Sequence, residues 1–387
     1  MDINEKSLEL HAKHKGKIEI TPKVKVSSVK DLSLVYTPGV AEPCRRIAKN
    51  PEEVWNLTIK ANTVAIVTDG SAVLGLGNIG AKAAIPVMEG KAVLMKKFAG
   101  IDAFPICLDT QDPDEIVATV QRIAPVFGGI NLEDISAPRC FEIEERLRGE
   151  LEIPVVHDDQ HGTSIAVLAG LINALKVAGK NLGDCRIAIS GAGAAGIAIA
   201  NTLIDAGAKR IQVLDSHGLI TDDRAEGMNK YKLALAQRIK TECGTESYAG
   251  GSGLAAVLAG ADVFIGVSRP GIVTEDMARS MAKNSIIFAM SNPMPEIMPE
   301  IAKSAGALVV ATGRSDYPNQ VNNALAFPGV FKGLLESRTR FLSSRMKIES
   351  AKAIADLIKN PTADKILPSV LDKQVADVVS KAVIMNI

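Results

Sequence analysis

The sequence has no excess charge of either sign: 44 Lys and Arg balance 44 Asp and Glu across 387 residues. No long block of like charge stands out to attract a phosphate backbone, so nucleic acid is not an expected partner. Cysteine is sparse, at 5 residues. Cys44, Cys107, Cys140, Cys185 and Cys243 are odd in number, far apart and without a C-x-x-C pair. That argues against a zinc or disulfide framework and fits reduced thiols. The N-terminus, from Met1 to Lys17, lacks the apolar run of a signal peptide, and a cytoplasmic location is the expectation. Long hydrophobic runs are also missing. Ile187–Ile204 is interrupted by Gly191, Gly193 and Gly196, and Ile165–Leu175 is too short for the ~30 Å hydrocarbon core, so no membrane partner is expected.

What is present is globular in character. Hydrophobic residues make up 47% and charged residues 23%, and the 32 Gly and 18 Pro are scattered rather than tandem, which excludes collagen-like, disordered and solenoid chains. A chain this long exceeds what one core usually supports, so two domains of roughly 150 to 200 residues are expected.

From Arg186 onward, short runs rich in Ile and Val alternate with longer helical segments: Arg186–Ser190, Arg210–Asp215, Ala261–Ser268, Ser285–Met290 and Ala307–Ala311. Nearly all residues in these runs are apolar, as in strands buried on both faces of a parallel sheet. This half reads as a doubly wound, Rossmann-type α/β domain. The first part has strand candidates at Thr63–Thr68, Ala103–Leu108, Gly129–Leu132 and Ile153–His157, interleaved with helices near Ile79–Lys97, Pro113–Ala124, Pro138–Arg148 and Thr163–Val177. It reads as a second α/β unit. The expected organisation is a first domain over 1–160, a dinucleotide domain over 161–318, and helices over 319–387 packing back on the first.

Gly191-Ala192-Gly193-Ala194-Ala195-Gly196 follows a strand directly and opens an apolar helix. In that context Gly191 makes the tight turn, Gly193 admits a pyrophosphate to the backbone amides of Ala194 and Ala195, and Gly196 lets helix and strand pack closely. Asp215, at the end of the next strand, can accept from the adenosine ribose hydroxyls and would repel a 2′-phosphate. NAD is therefore the expected cofactor. NADP stays open because His217, Arg224 and Lys230 lie just downstream.

Glu133, Asp134 and Asp159 sit just beyond separate strand ends. Three carboxylates converging in one cleft repel each other unless a hard cation neutralises them, which points to Mg²⁺ or Mn²⁺. The alternative is that each caps the helix that follows. Lys91 lies in the mostly apolar stretch Ile85–Phe98, where desolvation would lower its pKa toward that of a usable base; snorkelling to solvent is the alternative. Tyr36 precedes the turn Thr37-Pro38-Gly39, where a phenol could serve as an acid or be an ordinary loop aromatic. Asn292 follows the strand candidate Ser285–Met290 and the Asn322-Asn323 pair precedes an apolar turn; carboxamides there suit a small carboxylate substrate or serve simply as turn residues. His157 and His161 are read as structural.

Together these segments resemble the malic enzyme family in its short single-chain form. The resemblance rests on Tyr36-Thr37-Pro38-Gly39-Val40-Ala41, Thr68-Asp69-Gly70 with Leu74-Gly75-Leu76-Gly77, Gly90-Lys91, Leu132-Glu133-Asp134, Asp158-Asp159-Gln160-His161-Gly162-Thr163, Ser291-Asn292-Pro293, and Asn322-Asn323 with Phe327-Pro328-Gly329. It implies oxidative decarboxylation of malate to pyruvate with reduction of NAD(P)⁺, Lys91 as general base and Tyr36 as general acid. It further implies Asp158 as the carboxylate that orients Lys91, Glu133, Asp134 and Asp159 as metal ligands, and Asn292, Asn323 and Asn322 at the substrate or nicotinamide. A homodimer is implied as well. Larger members carry a substrate-gripping arginine where this chain has Ala72-Val73. The grip is then expected from the amides around Gly70–Ala72 or from a partner subunit. A malolactic reaction on bound NAD, a plain hydroxy-acid dehydrogenase and a dinucleotide-sensing module without catalysis are the competing readings.

Overall fold

The computed structural model describes residues 2–73, 75–244 and 252–387. Leu74 of the Leu-Gly-Leu-Gly stretch lies outside them. The chain opens with α1 (Ile3–His14), α2 (Val29–Val35), α3 (Ala41–Lys49) and the single turn α4 (Val54–Leu57), none of which has a buried residue. Then come β1 (Thr63–Thr68), α5 (Gly80–Ala99), β2 (Asp102–Cys107), α6 (Pro113–Ile123), β3 (Gly129–Leu132), α7 (Arg139–Glu150), β4 (Val155–His157) and α8 (Asp158–Ala178). The four strands pair in parallel in the order β2-β1-β3-β4. Val64, Ala65, Ile66 and Val67 of β1 are fully buried, as the all-apolar strand requires.

The second half continues through β5 (Arg186–Ser190), α9 (Ala194–Asp205), β6 (Arg210–Asp215), β7 (Gly218–Leu219), α10 (Lys230–Cys243), α11 (Leu254–Leu258), β8 (Val263–Gly266), α12 (Glu275–Arg279), β9 (Ile286–Ala289), α13 (Pro299–Ser304) and β10 (Val309–Thr312). These strands form a sheet in the order β10-β9-β8-β5-β6-β7. All pairings are parallel except that of β7, a two-residue antiparallel edge that the apolar pattern did not disclose. The strand order reverses direction at β5, which places a crevice at the carboxyl ends of β5 and β8. Three helices close the chain: α14 (Phe327–Ser337), α15 (Ser344–Ala355) and α16 (Gln374–Ile384). Helices α14 and α16 pack on each other and on α5 of the first unit, and α15 packs on α16, α8 and α9.

Helix α8 differs from its expected course. It starts at Asp158, five residues before the expected Thr163, and runs without a break through position 160, where the sequence suggested a boundary. Asp158 and Asp159 therefore occupy its first turn, where the helix dipole favours negative charge. The helix is long and apolar enough to cross a bilayer, but its residues are largely buried inside the protein. It packs on β4 at one end and on β9, β10 and α9 along its length, so one buried helix joins the two sheets.

Candidate active site

The site grows from the carboxyl end of the first sheet. Lys91, on α5, is 7% exposed, and its Nζ lies 2.5 Å from Asp158 Oδ2 and 2.8 Å from Glu133 Oε1. Beneath it the Phe327 ring centroid is 4.1 Å away, so the first turn of α14 provides an apolar floor with a cation–π contact. Lys96, one turn along, is 61% exposed and pairs with Asp102 at the surface. Only the lysine on the inward face is desolvated.

Burial alone would lower the Lys91 pKa, as its apolar setting in the sequence suggests. The two carboxylates outweigh that effect and hold it above its usual range. The sequence expectation is corrected here because Asp158 and Glu133, remote in the chain, arrive at direct ion-pair distance. Asp158 is pushed up to about 6 by burial, opposed by Lys91. Its Oδ1 is buried without a hydrogen-bond partner.

Glu133, Asp134 and Asp159 converge with ligand oxygens within 4.8 Å of one another. Burial, together with the neighbouring carboxylates, raises Asp134 to about 9; burial raises Asp159 to about 6 and also raises Glu133. Asp134 Oδ2 is buried without a partner, and the residue adopts φ 52, a left-handed backbone uncommon outside glycine. Its N–H donates to Asp159 Oδ2 at 2.9 Å, and Asn131 Nδ2 donates to Glu133 Oε2 at 2.8 Å. Among the described residues no helix-capping bond uses these side chains. Three oxygen donors, mutually repelling and partly unsatisfied, fit a hard divalent cation.

Glu144 of α7 supports this loop from below. Its carboxylate accepts from His157 N–H at 3.1 Å and Gln160 Nε2 at 3.0 Å, and lies 2.8 Å from His161 Nε2. His157 is completely buried, with Nε2 3.5 Å from Asp159 Oδ2. The sequence reading missed Glu144. Its own helix offered no signal, since the partners lie 13 to 17 residues on and meet it only in the fold.

The second unit closes over the first. A Cβ at Gly162 would lie 1.8 Å from Asp158 Oδ1 and 3.3 Å from Asn323 Cβ, so Asn323 sits against the first turn of α8. Asn322 instead caps the following turn, its Oδ1 accepting from Ala324 N–H at 2.8 Å. Its carboxamide oxygen is thereby engaged in the backbone. Asn292 follows β9 with its carboxamide 2.6 Å from where a Gly313 Cβ would be, and its carbonyl oxygen would lie 3.1 Å from a Cβ at Gly75. The loop after β1 thus reaches the loop after β9 across the cleft.

The amides of that first loop are occupied. Gly70 N–H donates to Thr68 Oγ1, Ser71 N–H to Asp69 Oδ1 and Ala72 N–H to the Asp134 carbonyl oxygen, at 3.0, 2.9 and 2.9 Å. They tie this loop to itself and to Asp134 and are not free to grip a substrate carboxylate.

Tyr36 also departs from its expected place. It ends α2, is 67% exposed, and its hydroxyl has no hydrogen bond to Lys91 or the carboxylates among the described residues. The arm that carries it has no buried residue from 2 to 59; half-buried Trp55 packs on the core, and Lys17 donates to Glu89 and to the Pro86 carbonyl of α5.

At the second sheet, Gly191 has φ 112 and its N–H donates to the Leu214 carbonyl at 2.8 Å; a Cβ there would meet the Val267 carbonyl oxygen at 2.5 Å. A Cβ at Gly196 would lie 1.8 Å from the Gly191 carbonyl oxygen. Around Gly193 there is open space, and it caps α9 with no side-chain bond. The first-turn amides of Ala194, Ala195 and Gly196 are left for an anion, as a dinucleotide turn requires. Asp215 stands beside this turn, but Arg224, Lys232 and the His217 N–H already occupy its carboxylate. Of the cations the sequence suggested here, Lys230 is 67% exposed and turns toward Glu145, and Lys232 takes its place.

Two family models cover the chain: the malic enzyme N-terminal domain matches residues 15–148, and the malic enzyme NAD binding domain matches residues 160–387. The chain is 54% identical over 385 residues to a bifunctional malic/malolactic enzyme of Bacillus subtilis, covering 99% of this chain and 92% of that one. It is 54% identical to an NAD-dependent malic enzyme of Geobacillus stearothermophilus, covering 95% of this chain and 76% of the relative. The crystal structure of an NAD-dependent malic enzyme from Thermotoga maritima superposes with a TM-score of 0.93 at 46% identity, over 99% of each chain. With both halves matched and the fold shared from end to end, the chain belongs to the malic enzyme family.

Proposed function

We infer that the protein oxidises L-malate to pyruvate and CO₂ with reduction of NAD(P)⁺, in a reaction dependent on Mg²⁺ or Mn²⁺. The observation that carries this reading is the buried Lys91 between Asp158 and Glu133, adjoining the Asp134 and Asp159 carboxylates. A dinucleotide sensor has no use for such a group, and a plain hydroxy-acid dehydrogenase has none for the cation cradle. When bound, a divalent cation on Glu133, Asp134 and Asp159 supplies Lewis-acid polarisation of the substrate oxygen, and NAD(P)⁺ bound at the Gly191–Gly196 turn supplies the hydride acceptor.

The chain's own residues move the protons. Lys91 is held protonated by Asp158 and Glu133 in the free protein and must first give up that proton; as the neutral amine it takes the C2 hydroxyl proton as the C2 hydrogen leaves as hydride. Asp158 holds the amine in place at 2.5 Å and stabilises the ammonium that results. Asn323 borders the same pocket, and Asn292 stands at the cleft between the sheets; both present carboxamides suited to a substrate carboxylate. After CO₂ departs, a tyrosine hydroxyl returns a proton to C3, and Tyr36 is the residue proposed for it.

Tyr36 reaches that position across a dimer interface. The arm over residues 2–59 exposes Ile3, Leu8, Ile20, Val29 and Leu34, each more than 60% accessible, alongside Tyr36 itself. Apolar surface of this extent is unfavourable in water and is covered when a second copy docks on it. The arm of one copy would then carry Tyr36 to the Lys91 cluster of the other. The substrate carboxylate, which the filled Gly70–Ala72 amides do not hold, would find a partner there too.

The test is absorbance of the reduced nicotinamide with L-malate and Mn²⁺, with and without chelator, alongside assays of pyruvate and lactate. Metal-dependent NADH or NADPH in step with pyruvate supports the reading. Lactate without net reduced cofactor replaces it with the malolactic reaction.

A further inference from the structure

Glu296, in the loop between β9 and α13, is completely buried, and its carboxylate has no ion-pair partner among the described residues. It accepts instead from two backbone amides: Ser268 N–H donates to Oε1 at 2.8 Å and Ser291 N–H to Oε2 at 3.0 Å. Ser268 stands just past the end of β8 and Ser291 just past the end of β9. One side chain therefore spans two neighbouring strand ends at the crevice. A carboxylate taken out of water without a cation is costly, and bonds from N–H groups to the charged form offset that cost. Burial raises the pKa of Glu296, and the two amides oppose the rise.

The surrounding chain is shaped to admit this group. Gly266 ends β8, and a Cβ there would lie 2.4 Å from Glu296 Cδ and 2.7 Å from Oε1. The backbone beside it is also pinned, since the Pro295 and Glu296 carbonyls accept from the Gly271 and Val273 N–H groups at 3.1 and 3.0 Å.

The two ends of the clamp differ. Ser268 is held without Glu296: Val267 N–H donates to the Ser190 carbonyl at 2.9 Å, and Ser268 Oγ lies 3.0 Å from Ser190 Oγ, both on β5. At the other end, the bond from Ser291 to Glu296 is the one hydrogen bond made by Ser291 or Asn292 among the described residues. Without the carboxylate, the β8 end stays anchored and the segment carrying Asn292 comes free.

We propose that Glu296 is a positioning residue for the reaction: by tying Ser291 to the anchored end of β8, it sets where the Asn292 carboxamide stands in the cleft. This rests on the assignment of Asn292 to the substrate above.

Calorimetric titration of L-malate into the protein loaded with Mn²⁺ and NADH, which cannot accept a hydride, reads substrate affinity without turnover. Glu296→Gln keeps the length but turns an NH₂ group against one of the amides, so malate affinity should fall about tenfold. NADH affinity, read by fluorescence, should stay within about threefold, because β5 still holds Ser268. Gly266→Ala displaces the carboxylate without altering it and should give the same pattern, which keeps the test open if Glu296→Gln does not fold. Asn292→Ala should also lose about tenfold, and adding Glu296→Gln to it should cost no more than about a further twofold, since residues that act through one another are not additive. A double variant about a hundredfold weaker, the product of the two singles, overturns the proposal, as do equal losses for malate and NADH. Malate binding without turnover in the native protein would refute the oxidative activity and leave this comparison standing, whereas a native protein that does not bind malate would remove the role of Asn292 and the proposal with it.

Discussion

Replacing Lys91 by methionine removes the cation that neutralises two buried carboxylates while keeping the length and apolar character of the side chain. Asp158 is fully buried and 2.5 Å from Nζ; Glu133 is about as buried and 2.8 Å away. Removing one partner of such a pair costs about 3–5 kcal/mol, because the remaining charge has neither water nor counterion. At about 2–4 °C of melting temperature per kcal/mol for domains of 150–250 residues, the metal-free variant should melt about 10 °C below the native protein at pH 8. The deficit should depend on pH in a definite sense. Burial already raises Asp158 to about 6, and loss of Lys91 raises it further. A carboxyl whose pKa is higher folded than unfolded favours the folded state when protonated, at low pH, and loses that contribution as pH climbs through the folded value. The deficit should therefore be small near pH 5 and grow toward pH 8. Excess Mn²⁺ should recover more stability in the variant than in the native protein, because it neutralises the same carboxylates. Melting curves at pH 5 and pH 8, with Mn²⁺ or with chelator, measure all of this. An equal deficit at both pH values would refute the reasoning. Malate oxidation should fall by about 10²–10⁴ in the same variant, the range a general base supplies.

Three further outcomes are expected. Tyr36→Phe and Lys91→Met, each inactive alone, should regain about a quarter of native turnover after unfolding and refolding as an equal mixture, since half the dimers are mixed and each has one complete site; no recovery would place both residues in the same subunit. Asp159→Asn should raise the Mn²⁺ requirement about tenfold or more in activity titrations, and an unchanged requirement would remove Asp159 from the ligand set. Gly193→Ala should keep the native melting temperature, because nothing lies within 4 Å of the added carbon, yet weaken dinucleotide binding in a fluorescence titration. Gly196→Ala should destabilise the fold, because its Cβ would lie 1.8 Å from the Gly191 carbonyl oxygen; equal melting temperatures for the two variants would count against this reading of the turn.

The parallel strands were legible because each is an apolar run that must be buried on both faces. Thr63–Thr68, Gly129–Leu132, Arg186–Ser190 and Arg210–Asp215 are found where the pattern puts them. The start of α8 was misjudged because Asp158, Asp159 and His161 resemble loop residues by composition. Their polarity instead serves the helix dipole and the Glu144 cluster. The short edge β7 and helices α1 and α2 were missed for a related reason: none has a buried residue, so no core-facing pattern marks them.

At the site, the sequence determined the kinds of chemistry available: a lysine in an apolar helix, carboxylates at strand ends, a glycine turn shaped for pyrophosphate. Those follow from local spacing and from the fit of each residue type to one element. Only the tertiary structure decided which charges meet. It placed Lys91 against Asp158, 67 residues away, and so raised a pKa that its apolar helix would lower. It filled the Gly70–Ala72 amides with internal partners, left Tyr36 exposed at the end of α2, and surrounded Asp215 with two cations. Electrostatic energies depend on distance and burial in three dimensions, and sequence separation fixes neither.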